Sequence, residues 1–209
     1  MGVSVRVSWG TDSAAARERR LAGIVLFALA AQFMTVIMLA ASIAPDYDFS
    51  AAAISDLGVV SSTALLFNAS LIAVGLLNAA GGYLFYRSHR RPVVLGLFVV
   101  AGIGALGAGV FTLDRSGLHG LFALTAFLCF NLQAIAVGAL LRGAMRAISI
   151  GAGLLGLAFV VLMVLGDSGN AAAFGPIGHG GTERMIVYPA MLWMLALGGW
   201  LMSGGAEEA

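Results

Sequence analysis

Apolar residues fall in six long uncharged blocks along the chain, at 21–43, 64–86, 93–113, 120–141, 147–166 and 185–202, with short polar stretches between them. Each block is close to the roughly 20 residues a helix needs to cross about 30 Å of hydrocarbon at about 1.5 Å per residue. The pattern predicts an all-α fold, a six-span transmembrane helical bundle over 21–202, with residues 1–20 ahead of it and 203–209 behind. The first block is longer than the roughly 7 to 15 apolar residues of a signal-peptide core. Pro45 also follows the Ser42-Ile43-Ala44 triplet, where a cleavage site would not tolerate it, so the block reads as a true first span.

Arginine placement orients the bundle. Arg6, Arg17, Arg19, Arg20, Arg87, Arg90, Arg91, Arg142 and Arg146 fall on one side, and Arg115 and Arg184 on the other. Short cytoplasmic segments accumulate positive charge, so both termini are expected in the cytoplasm and the protein in the cell membrane as a multi-pass chain. The inner connections are short, whereas the outer side carries the longer segments 44–63 and 167–184, and elaborated loops are where function tends to reside.

Composition removes several classes. Of 209 residues 60% are hydrophobic and only 10% charged, too little polar surface for a soluble monomer of this size. A net charge of +1 and the absence of any basic stripe exclude a nucleic-acid partner; membrane lipids are the expected one. With one cysteine, Cys129, no intrachain disulfide and no CxxC motif can exist.

Shifted by 63 residues, Phe67-Asn68-Ala69-Ser70-Leu71-Ile72-Ala73-Val74-Gly75 aligns with Phe130-Asn131-Leu132-Gln133-Ala134-Ile135-Ala136-Val137-Gly138. Phe, Asn, Ile, Ala, Val and Gly are identical, and the same shift sets Asp56 on His119. The expectation is a bundle of repeated helical hairpins, with spans two and three superposing on spans four and five.

No Asp, Glu, Lys, Arg or His falls within the six blocks, which argues against proton- or ion-coupled transport. Asn68 and Asn131 are expected to hydrogen-bond between helices, and the small-residue run from Ala101 to Gly109 to bring helices close. The outer face is richer. Asp46, Asp114 and Asp167 lie just past helix C-termini and Arg184 at a helix N-terminus, each opposed by the helix dipole. Such charges are expected to pair with one another or with an anion, with Arg184 at the centre.

Asp56, Asp114, His119, His179, Glu183, Arg184 and Tyr188 are the candidate ligand-binding set. Thr182 is the expected N-cap of the sixth span, and the glycines at 175, 178, 180 and 181 would let backbone amides approach an anion. No metal or other cofactor is called for by spacing. The alternative is a zinc-type divalent site of Asp56, His119, His179 and Glu183, a carboxylate–imidazole donor set without a recognised spacing.

Three stretches together carry a family resemblance: Ile54-Ser55-Asp56-Leu57-Gly58 before span two, the polar turn with His119 opening span four, and Gly181-Thr182-Glu183-Arg184 followed by Tyr188. The chain resembles, over nearly its whole length, the prokaryotic six-span membrane family known as domain of unknown function 998. Asp114-Arg115 stands where the family often has a proline ahead of the span-four histidine. The resemblance implies the six-span fold and no activity. The expectation is therefore a non-enzymatic membrane protein whose outward-facing site binds a small polar ligand, a lipid headgroup or a partner; the alternative is a metal-dependent hydrolase or transferase on outer-leaflet substrates. No nucleophile with a positioned base can be named, which favours the first.

Overall fold

The computed structural model describes residues 9–115 and 117–204. The expectations for the terminal segments 1–8, Arg6 included, and 205–209 lie outside these, as does Ser116. Six helices follow one another: α1 (Trp9–Ile43), α2 (Ala64–His89), α3 (Pro92–Val110), α4 (Leu118–Gly138), α5 (Gly143–Asp167) and α6 (Gly178–Met202). All six are long and apolar enough to cross a membrane, and among the described residues no strand occurs. In hydrocarbon every backbone N–H and C=O must be satisfied within its own segment, which a helix does and an open strand does not. Large apolar side chains point outward, with Leu65 85% and Met38 65% exposed, the surface a lipid-facing bundle needs.

Each helix packs on its neighbours in sequence, and α6 returns to α1. Small residues make the closest approaches. A Cβ on Gly75 would lie 2.5 Å from the Gly102 carbonyl, and one on Gly104 2.6 Å from the Ala126 amide nitrogen, so the Ala101–Gly109 run is a packing surface as expected. Gly23 and Gly198 approach each other in the same way and close the ring between α1 and α6.

Buried amides supply the polar ties. Ser70 donates to Gln32 between α1 and α2 (2.7 Å), Asn78 to the Phe98 carbonyl (2.8 Å) and to Gln133 (3.2 Å), and Asn131 to the Ile186 carbonyl (3.3 Å). That last bond joins α4 directly to α6. Helix α5 therefore covers the α4–α6 seam from outside, through Val160, Met163 and Phe159 against Phe127 and Ile186.

Two expectations fail. The sixth helix begins at Gly178, seven residues before the apolar block, so Thr182 is no cap; its hydroxyl donates back to the Gly178 carbonyl (2.9 Å). Hydropathy stopped at Glu183 and Arg184, but a helix continues through charges that its surroundings can bury. For the same reason the spans are not free of ionisable groups: His119, Glu183 and Arg184 all lie in helices and are 5%, 5% and 7% exposed.

The 63-residue repeat also fails in register. Asn78 bonds both Phe98 and Gln133, which sets Gln133, and Asn131 two residues before it, level with Asn78. Asn68 is ten residues from Asn78, about 15 Å nearer the other end at 1.5 Å per residue. Its amide ties α2 to the Gly58 carbonyl (2.8 Å) and not to another helix. Gly75 packs on Gly102 in the middle of α3, whereas Gly138 packs on Ser149 and Ile150 near the start of α5. Antiparallel hairpins recur along the chain, but Asn68 does not superpose on Asn131.

Candidate functional site

Near the end of the bundle that carries the long loops, the ring encloses a cavity of about 60 Å³, room for roughly four water-sized groups. Its wall is mostly carbon: Phe33 of α1, Phe67 and Leu71 of α2, Ala105 and Ala108 of α3, Ala123, Ala126 and Phe130 of α4, Ile186 and Met191 of α6. Alanines three apart on two adjacent helices, α3 and α4, leave the space that larger side chains would fill. Helix α5 contributes nothing to it.

Polar groups enter this wall from four places. His119, in the first turn of α4, is held by one edge of its ring: Nδ1–H donates to the carbonyls of Ala108 (3.1 Å) and Phe111 (2.9 Å). Carbonyl oxygens only accept, so Nδ1 carries a proton, and Nε2 is buried with no partner. The Glu183 carboxylate accepts the Ile54 N–H (2.5 Å), and Ile54 and Ser55 of the folded-in 44–63 segment complete the rim. Deeper, Asn131 lines the cavity and its Oδ1 is also unpartnered.

Arg184, one residue after Glu183, turns the other way. Its Nη1 donates to the carbonyls of Phe49 (2.8 Å), Ala52 (3.1 Å) and Gly180 (2.8 Å), and its Nη2 to the Tyr47 hydroxyl (2.6 Å). The guanidinium lies 4.8 Å from the Phe49 ring centre and 5.5 Å from that of Tyr47. It meets no carboxylate, contrary to the expectation from its position against the helix dipole. Main-chain carbonyls and two π faces offset that cost instead.

The glycines behave likewise. Gly180 N–H donates to the Ser50 carbonyl (2.9 Å), and a Cβ on Gly180 would sit 2.1 Å from the Ala52 oxygen, so the bare backbone admits the 48–52 loop and not an anion. Tyr47, which also donates to the Ala53 carbonyl (2.7 Å), has its phenol pushed up to about 12 by burial, against the opposing pull of Arg184.

The remaining candidates are scattered. Asp56 accepts the Ala53 N–H (2.8 Å) at the start of a short 3-10 turn, Ser55–Gly58. Asp114 is exposed and bonded to the Thr112 hydroxyl (2.7 Å), which holds its carboxyl below the ordinary range. His179 pairs with Asp167 (3.3 Å) at the surface and stands edge-on to Phe174. Tyr188 packs half-buried against the core. Among the described residues no three His, Cys, Asp or Glu side chains gather where a metal ion could be held, so Asp56, His119, His179 and Glu183 do not form the alternative zinc-type set. Of the seven candidates only His119 and Glu183 share the cavity.

A family model described as "Protein of unknown function (DUF998)" matches residues 21–200. The chain belongs to the DUF998 family. No curated protein and no solved structure matches it. The match reaches into all six helices of this DUF998 chain and takes in both segments that build the cavity rim, 54–55 and 183. Sequence reasoning missed Ser55, Asn131 and the carbon lining as site residues. The one sequence signal for them is the three-residue spacing of alanines at 105 and 108 and at 123 and 126.

Proposed function

We propose that this DUF998 protein lies in the cell membrane with both termini cytoplasmic and the cavity end outward, and that it is a non-enzymatic binding protein for a small molecule with an apolar body. The orientation rests on the nine arginines at one end against two at the other. Helix packing puts Arg87 of α2 against Glu18 of α1 at that arginine-rich end (2.7 Å), in keeping with this grouping. The observation that carries the function is the cavity itself, a carbon-lined space into which buried His119 and Glu183 project, since small-molecule sites are mostly apolar with a few placed polar groups. A lipid phosphate is a poorer fit, because the Arg184 Nη groups are taken by the 47–52 segment and Gly180, and Arg184 does not line the cavity. The hydrolase alternative lacks a gathered ligand set among the described residues. Mass spectrometry of purified wild type and of Ala105→Phe, whose ring would fill the cavity, tests the reading. A small molecule should be released from denatured wild type and be missing from the variant; equal release from both, or none from either, would sink it.

A further inference from the structure

We infer, resting on that reading of the cavity, that its occupant carries a hydrogen-bond-donating head, a hydroxyl or an amine, and delivers it to Nε2 of His119. An unpartnered atom stands at the rim of the cavity. In the neutral ring His119 Nε2 is a lone pair without a partner, because the ring proton is on Nδ1 and spent on Ala108 and Phe111. The Glu183 carboxyl already accepts the Ile54 N–H, and Asn131, its amide N–H groups bound to Phe127 and Ile186, turns its Oδ1 toward Gly156 of α5. Of the neighbouring donors, the Ile54 N–H is on Glu183 and the Arg184 Nη groups are on Phe49, Ala52, Gly180 and Tyr47; the Arg184 Nε–H is buried without a partner, but Arg184 does not line the cavity. The Ser55 hydroxyl can act either way.

A carboxylate, phosphate, ketone or ether entering this space would bring an acceptor to the His119 lone pair. A buried polar atom without a partner is costly, so a ligand that supplies its missing partner gains what an isostere without a donor forfeits. His119 and Asn131 are twelve residues apart on α4, about 18 Å along its axis, so one small head group meets one of them. His119, in the first turn beside the rim, is the one an entering molecule reaches first. The cavity volume sets the probe size at about four heavy atoms.

The test uses the whole protein in lipid nanodiscs with its three histidines labelled with ¹⁵N, the His119 signals being assigned by their loss in His119→Gln. In the unliganded protein Nδ1 should carry the proton and Nε2 should not. Added n-propanol or n-propylammonium should move the Nε2 resonance and bind about tenfold or more tightly than acetone or propionate. In His119→Phe, which keeps a ring but no lone pair, the preference for n-propanol over acetone should fall to about one, whatever happens to overall stability. A proton on Nε2, equal binding of n-propanol and acetone, or binding of none of the four would overturn the inference. A co-purified molecule that has no O–H or N–H would overturn it too, while leaving the binding reading intact; failure of that reading shows separately, as no molecule released at all.

Discussion

Replacing Arg184 by alanine removes a clamp, and its cost follows from what the clamp holds. Four hydrogen bonds disappear, three to main-chain carbonyls and one to Tyr47, together with contacts to two aromatic rings. The Gly180 carbonyl keeps its helical partner, so two carbonyls, those of Phe49 and Ala52, are orphaned at about 1 kcal/mol each, the low end because Phe49 lies in an exposed loop that water can reach, which amounts to about 2 kcal/mol. The lost cation–π contacts add about 1 to 2, giving about 3 to 4 kcal/mol in all. Arg184→Lys keeps a charge and three donors but cannot span the carbonyls and the phenol together, so it should recover about half.

The partners are neutral, which separates this account from an ion-pair centre. Asp56→Asn and Asp114→Asn should leave the role of Arg184 untouched, and the loss in Arg184→Ala should hardly vary with salt. Thermal unfolding in detergent at low and high ionic strength measures both, with limited proteolysis between 44 and 54 reporting release of the loop. Wild-type melting for Arg184→Ala, or a loss that shrinks as salt rises, would refute the clamp.

Tyr47→Phe should lower stability modestly near neutral pH. It should also flatten the alkaline limb: a phenol raised in the folded state stabilises fully below about 10 and loses that contribution as pH climbs toward about 12, so wild type should weaken over that window and the variant less. Gly75→Leu drives a side chain into the Gly102 carbonyl and should cost about 2 kcal/mol or more in melting experiments, whereas the same change at Gly151, where a Cβ meets nothing, should be nearly silent. In a Cys129→Ser background, Ser168→Cys should react with an impermeant thiol reagent on intact cells and Ser88→Cys should not; the reverse pattern would invert the proposed orientation.

The six helices were legible because lipid demands length and apolarity, and both are written directly in the residues. Their ends were not, where charge was buried. Glu183 and Arg184 look like loop residues to any hydropathy count, yet the first meets the Ile54 amide and the second a ring of carbonyls, partners set by the fold of residues 47–54. His119 and Glu183 were recognisable as polar residues on the loop-rich face, but nothing in their spacing said that they share a cavity. That depends on which helix faces stay empty, and therefore on the small side chains of α3 and α4. The register of the 63-residue match misled for the opposite reason: identical letters at a fixed shift carry little weight when so few residue types are in use.

Burying the Arg184 charge beneath its loop changes what the rest of that face presents to the solvent. Asp46, Asp48, Asp114 and Asp167 are exposed and Asp56 half-exposed, while Arg115 is the one exposed arginine there among the described residues. The loop-rich end of the bundle is therefore acidic, with a field that extends about a Debye length, some 8 Å at physiological ionic strength. Small cations are concentrated at that end of the molecule and anions are thinned out.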